Sequence, residues 1–179
     1  LQRHFPERAE EFLSMLKEMV NQVVNAKIGI EGMEFSLRDI SKENRISEWE
    51  FDLKCGEFNP AEIMKLELPE GHQVLTSDYE NMLQGLLNGF VDLIFQHEGK
   101  YFILDWKSNF LGDTQSDYGA ENLLQSMNDN NYHLQYLLYS LALKKYLETN
   151  ISGFDYETQF GGVLYYFLRG IRSGSGQGI

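Results

Sequence analysis

The 179-residue chain is 42% hydrophobic, 13% aromatic and 23% charged, a globular balance that excludes a disordered or fibrous protein. Cys55 is its only cysteine, which excludes an internal disulfide and any cysteine-built zinc or iron–sulfur site. A net charge of −12 argues against a domain that grips nucleic acid unaided, because neutralising phosphates dominates that affinity.

The opening Leu1-Gln2-Arg3-His4-Phe5-Pro6-Glu7 lacks the basic-then-apolar layout of a signal peptide. No apolar run approaches the ~20 residues that cross a bilayer. The expectation is no membrane partner and a cytoplasmic location. The chain begins without Met and closes on a polar tail, 171–179, expected to be flexible. This is the pattern of a piece of a longer protein. The whole is read as one domain, with a helical N-terminal part over 1–45 and a core over 46–170.

Glu7 to Ala26 reads as an amphipathic helix, with Ala9, Phe12, Leu13, Leu16, Met19, Val20 and Val23 at helical spacing. Lys27 to Asn44 is mixed and carries no assignment. Trp49-Glu50-Phe51-Asp52-Leu53 alternates apolar and acidic, as a strand with one wet face does. Pro60 to Leu66 suggests a short helix, followed by irregular chain to Tyr79.

Two strand-like runs follow, Gly89 to His97 and Tyr101 to Lys107, with Glu98-Gly99 between them as a tight hairpin turn. The second run is nearly all apolar, which predicts a central strand covered on both faces. Asp117 to Met127 reads as a helix broken at Asn128-Asp129-Asn130-Asn131. Tyr132 to Leu147 is the clearest helix, with an apolar stripe of Leu134, Leu137, Leu138, Leu141 and Ala142. Val163 to Leu168 reads as a buried strand behind a Gly161-Gly162 turn. The sum is a small mixed α/β domain.

Asp105 and Lys107 lie two apart on a strand, so both side chains point to one face. For phosphodiester cleavage such a carboxylate binds a hard divalent cation, while the ammonium steadies an attacking hydroxide or the charge growing on phosphorus. Asp92 sits in the otherwise apolar run Gly89-Phe90-Val91-Asp92-Leu93-Ile94, where an ionised group needs a partner or a metal. A turn near Glu98-Gly99 brings Asp92 and Asp105 to the same end of the hairpin. Their register is not readable from sequence.

Gly89-Phe90-Val91-Asp92, twelve residues, then Asp105-Trp106-Lys107-Ser108-Asn109 resembles the motif of PD-(D/E)xK nucleases of the RecB type. Gln135 and Tyr139, four apart on the next helix, resemble that family's Gln-x-x-x-Tyr motif and share a helix face. The resemblance is dense from about Asn88 to Gly170 and weaker before it. It implies a restriction-endonuclease-like core, a mixed central β-sheet flanked by helices. It further implies that Asp92 and Asp105 ligate Mg2+, with the backbone carbonyl of Trp106 completing the shell. Mn2+ is expected to substitute, and Ca2+ to bind without supporting cleavage. Lys107 would be the catalytic lysine, and Gln135 and Tyr139 would border the site. Their bland alternative is a solvated helix residue and a tyrosine at the core edge. Glu48 or Glu50, read as sharing one strand face, stands where the family has an acidic residue, with Glu48 the nearer by local similarity.

Implied partners are single- and double-stranded DNA and a helicase part of the same longer chain. The gamma and alpha subunits of a bacterial exodeoxyribonuclease V are implied as well. The chain departs from the family in one respect: no Gly-x-x-His motif precedes the first strand, and His4, His72, His97 and His133 do not fill that place. The histidine-bearing helix is expected upstream of this piece. Tyr132, Tyr136, Tyr165 and Tyr166 have faces on which bases stack, but their spacing is more typical of core packing. No Gly-x-x-x-x-Gly-Lys-Ser/Thr loop is present, so no ATP-driven motor lies in this sequence. A rival reading is a nuclease fold kept as a non-catalytic docking scaffold, and a third is action on RNA.

Overall fold

The computed structural model describes residues 8–30, 32–54, 71, 86–173 and 178–179. The helix expected at Pro60–Leu66, the stretch to Tyr79, Cys55, His4 and His72 lie outside the described residues. The helix read over Glu7–Ala26 is α1, Ala9–Val24, with Glu10 and Glu11 in its first turn, where carboxylates suit the helix dipole. Only Val23 of its apolar residues is fully buried, and Leu13, Met15, Leu16, Met19 and Val20 are exposed. The unassigned stretch after it holds a two-stranded antiparallel hairpin, β1 (Ile28–Ile30) and β2 (Met33–Phe35). Its strands are three residues each, too short to show a period in sequence.

The main sheet has four strands in the order β3 (Arg45–Lys54), β4 (Leu86–His97), β5 (Lys100–Lys107) and β6 (Phe160–Phe167). β3, β4 and β5 are antiparallel, and β6 runs parallel to β5. Antiparallel β4 and β5 need only a two-residue link. Glu98 and Gly99 supply it, with φ of 47° and 80°. Positive φ at both central residues matches the right-handed twist of a hairpin. A parallel neighbour needs a long crossover. Here α2 (Ala120–Asp129) and α3 (Tyr132–Asn150) provide it, followed by a single turn, α4 (Tyr156–Gln159). The break between α2 and α3 falls at Asn131, left-handed at φ 53°, a conformation asparagine tolerates better than most residues. No helix among the described residues is long and apolar enough to cross a membrane.

β5 is covered on both faces, as its unbroken apolar run predicts. Phe102 and Leu104 pack with Leu93, Phe95, Leu164 and Tyr166 toward α1 and the small hairpin. Ile103 packs with Val91, Ile94 and Val163 toward Tyr139, Ala142, Leu143 and Leu147 of α3. Phe102, Ile103 and Leu104 are completely buried, each stabilising the fold by about 1.5–3 kcal/mol relative to exposure.

Two expectations are corrected. Gly161 and Gly162 form no turn before the last strand; they lie inside β6, where the register with β5 slips between Tyr101 and Phe102. The ring of Phe102 fills the space a side chain at 161 would need. Nor is the tail free at its described ends: Ile171 is fully buried, Ile179 packs against the same core, and the Gly178 carbonyl accepts the Phe167 N–H at 2.8 Å. Gly161→Ala is expected to cost about 1–3 kcal/mol by forcing an extra methyl against a closed core. Urea denaturation checks this, and an unchanged midpoint would show that Phe102 can move aside.

Candidate active site

The sheet is regular up to one point. β4 and β5 pair from His97↔Lys100 to Leu93↔Leu104, and one further step of that register sets Asp92 opposite Asp105. There the strands part. The Asp92 carboxylate takes over from the main-chain ladder, its Oδ2 accepting the Trp106 N–H at 2.8 Å. On the other side, the β3–β4 pairing skips from Ser47↔Leu93 to Trp49↔Val91, leaving Glu48 unpaired at φ 53°. Val91 packs in the same cluster as Ile94, although they stand three positions apart and alternation would put them on opposite faces. β4 therefore turns over between Val91 and Leu93, at Asp92. The expectation that Glu48 and Glu50 share a face assumed unbroken alternation, which the left-handed Glu48 interrupts. Both are exposed.

Asp105 and Lys107 occupy one face of β5, as their spacing requires, and are only 5% and 6% exposed. Lys107 Nζ lies 2.7 Å from Asp105 Oδ2. α3 closes the pair into a ring. Lys107 Nζ donates to Gln135 Oε1 at 2.7 Å, and Gln135 Nε2 donates to Asp105 Oδ1 at 3.1 Å. That Nε2 also donates to the Tyr139 hydroxyl at 2.8 Å. The amide has one workable orientation, since a flipped Gln135 would turn its donors toward the ammonium. Gln135 thus bonds both members of the Asp105–Lys107 pair, and Tyr139, one turn on along α3, holds the Gln135 amide.

Burial pushes the Asp105 carboxyl above the usual carboxylate range. The hydrogen bond and charge of Lys107 pull it back, and Asp92 pushes it up again. The Tyr139 phenol is pushed up to about 12, mainly by burial, so at neutral pH it is an uncharged hydrogen-bonding group and not a base. Tyr165 is raised further still, chiefly by burial and secondarily by Asp105.

Sequence reasoning set Tyr132 and Tyr165 aside as core packing. The structure brings both rings to the lysine. Lys107 Nζ lies 3.7 Å from the centre of the Tyr132 ring and 4.9 Å from that of Tyr165, and the two rings stack at 5.8 Å. A cation over an aromatic face is stabilised by ~0.5–2 kcal/mol, more when desolvated. Tyr132 was findable, lying one helical turn before Gln135 on α3. Tyr165 was not, because its place beside Asp105 depends on the β5–β6 register.

Among the described residues no group of three or more His, Cys, Asp or Glu converges as a metal cage. The donor chemistry at Asp92 and Asp105 nevertheless fits a hard divalent cation. Asp92 lies close enough to Asp105 for its charge to be felt there, and Asp105 is paired with one ammonium. Such a cation needs only one or two carboxylates when water completes its shell. The Trp106 side chain turns to the opposite face, edge-on to Tyr166, and its backbone remains at the site through the bond to Asp92.

A mixed sheet that parts at two facing aspartates, with the lysine two residues on, is the frame of one nuclease class. The model of the PD-(D/E)XK nuclease superfamily matches residues 2–176, and the chain belongs to that superfamily. It is 35% identical over 171 residues to the RecBCD enzyme subunit RecB of Haemophilus influenzae, covering 95% of this chain and 14% of that protein. To the subunit of the same name from Escherichia coli it is 39% identical over 162 residues, 88% of this chain and 13% of that protein. With the Mycolicibacterium smegmatis subunit the identity is 42% over 94 residues, 50% of this chain and 9% of that protein. The chain thus spans about one seventh of the length of the curated relatives it matches.

The charge arrangement has a direct consequence for stability. Lys107→Met leaves Asp105 and Asp92 facing each other without a cation, and is expected to cost about 3–5 kcal/mol at neutral pH. Adding Asp105→Asn to it should return part of the loss. Chemical denaturation of the single and double variants measures both effects. A double variant no more stable than the single one would remove the charge argument.

Proposed function

We propose that this chain is the DNA-cleaving module of a RecB-type helicase–nuclease, hydrolysing phosphodiester bonds with Mg2+ at Asp92 and Asp105. The observation that carries the reading is the closed ring of Asp105, Lys107 and Gln135 with Asp92 facing it across the parted strands. Superfamily members generally use divalent metals. When bound, such a cation supplies Lewis-acid activation of water and stabilises charge in the transition state.

The chain's own groups have separate tasks in this reading. Asp92 and Asp105 hold the cation, with the Trp106 carbonyl as a further oxygen donor. Lys107 commits two of its three N–H bonds to Asp105 and Gln135, which leaves one for a phosphate oxygen. Gln135 fixes the ammonium by bonding both members of the pair. Tyr139 holds Gln135 in turn, and Tyr132 and Tyr165 exclude water from the far side of the lysine. Glu48, at the position where the β3–β4 ladder skips beside Asp92, would serve as an outer ligand. The net charge of −12 favours a module to which other parts deliver the strand. A helicase portion of the longer chain and gamma and alpha subunits of an exodeoxyribonuclease V complex would do so, in the bacterial cytoplasm, during double-strand break repair and recombination. The similarity to RecB subunits of RecBCD enzymes supports a place in an assembly of that kind.

The test uses the full-length protein with its partner subunits on end-labelled DNA, single- and double-stranded. Cleavage is expected with Mg2+ or Mn2+, not with Ca2+, and is expected to stop on adding EDTA. Asp105→Ala should lower the rate by at least 1000-fold, the effect of losing a few kcal/mol of transition-state stabilisation. Equal cutting by Asp105→Ala would place the chemistry elsewhere. A folded, fully assembled protein that does not cut at all would establish the scaffold reading instead.

A further inference from the structure

Beyond Lys107 the chain makes an unusual presentation. Three residues on, Phe110 is 63% exposed, yet the chain on either side of it is tied down. The buried Tyr118 hydroxyl accepts the Leu111 N–H at 3.3 Å and lies 3.5 Å from the Asn109 carbonyl, to which it donates. The Tyr132 hydroxyl, on the ring that packs against Lys107, donates to Asn109 Oδ1 at 3.1 Å. Phe110 is thus held out toward solvent by a loop anchored to the active-site residues. The backbone ties on both sides of Phe110 leave its ring presented to solvent three residues beyond Lys107, where a passing strand could stack on it.

Two neighbours indicate what such an occupant would be. The guanidinium of Arg169 lies 5.8 Å from the centre of the Phe110 ring, its Nε donating to the Ser108 carbonyl at 3.1 Å. Arg169 follows Leu168, whose N–H is bound to the Lys107 carbonyl, so an exposed cation of a strongly acidic chain stands beside the catalytic strand. On the other side a groove of about 360 Å³ opens between 109–111 and α2, lined by Asn109, Asn122, Gln125, Ser126 and Asn130 and by one carboxylate, Asp129, which is capped by the Gln125 amide at 2.7 Å. The Ser126 Oγ is buried behind that wall, so the polar groups the groove offers to an occupant are the exposed amides of Asn122, Gln125 and Asn130.

We propose that this groove seats one unpaired nucleobase of the strand passing Lys107, stacked on Phe110, with Arg169 on the adjoining phosphate. Three residues of extended chain span at most about 11 Å, so the seated base lies within a few nucleotides of the bond that is cut. Aromatic stacking is tolerant of base identity, while amides, which both donate and accept, can bond any base edge. A base in a stacked duplex cannot enter, so the groove makes the module one for single strands. This rests on the nuclease reading above.

Crosslinking separates the two. Single-stranded DNA carrying 5-iodouracil is bound to the full-length Asp105→Ala protein with its partners, irradiated, and the crosslinked peptide sequenced. The crosslink is expected at Phe110, absent from the Phe110→Ala double variant and retained with Phe110→Trp. In the cleaving parent, Phe110→Ala should slow single-strand cutting about 5- to 150-fold, the worth of one base–aromatic stack, with Phe110→Trp near the parental rate. An abasic nucleotide walked along the strand should depress cutting at a bond a fixed number of positions away, and this dip should vanish in Phe110→Ala. Crosslinking elsewhere only, or a dip that survives in Phe110→Ala, overturns the proposal. A crosslink at Phe110 in a protein that never cuts would leave the groove standing and remove the nuclease reading.

Discussion

Asp105 and Lys107 form a buried ion pair at the end of a strand otherwise made of large apolar residues, and the surrounding structure is arranged to make that pair tolerable. Removing two charges from water costs several kcal/mol each, and mutual attraction offsets this only when their remaining hydrogen-bonding capacity is also met. One side-chain amide meets much of it. Gln135 accepts from the ammonium and donates to the carboxylate, so neither group can swing away without breaking two bonds. Burial is the main reason the Asp105 carboxyl is held above the usual carboxylate range, and the neighbouring negative charge of Asp92 adds to it. A site held one positive charge short is suited to a cation from solution.

The connection between β5 and β6 follows from the same constraint. A strand buried on both faces needs cover from elements distant in sequence, and a parallel neighbour can be reached only through a long crossover. That crossover is α2 and α3, and α3 lies across the face carrying Asp105 and Lys107. The helix that satisfies the sheet's hydrophobic face therefore also delivers Gln135, Tyr139 and Tyr132 to the charged end of the strand. Packing and chemistry share one element here, with Leu143 and Leu147 burying against Ile103 while Gln135 binds the ion pair.

At Asp92 the regular sheet is given up. Hydrogen bonds that a continuous ladder would have made are partly replaced by a carboxylate on the Trp106 N–H, and Glu48 adopts a left-handed conformation that costs a non-glycine residue roughly 1–2 kcal/mol. Local irregularity of this kind persists where the surrounding packing over-determines it, and it clusters at functional sites. Here it keeps two carboxylates facing each other instead of zipped into the sheet.

The sequence by itself determined the strand pair around Glu98-Gly99, the long helix over Tyr132, the two-sided burial of β5, and the identities of Asp92, Asp105, Lys107, Gln135 and Tyr139 as the residues to examine. Most were legible because the signal is local: a turn that needs positive φ, a period of 3.6, an unbroken apolar run, a two-residue spacing. Gln135 and Tyr139 were legible only through their resemblance to the family's motif. Tertiary structure alone decided what is non-local. The register that faces Asp92 with Asp105 is set by pairing across a hairpin. The Gly161-Gly162 pair falls inside a strand because the ring of Phe102 occupies the space beside it, and Tyr165 meets Lys107 only because β6 pairs with β5 in one register. The outward hold on Phe110 was invisible for the same reason, since its anchors are Tyr118 and Tyr132, whereas the short hairpin at Ile28–Phe35 was hidden because three-residue strands show no period. The non-local features have their causes in residues far along the chain, which no short sequence pattern contains.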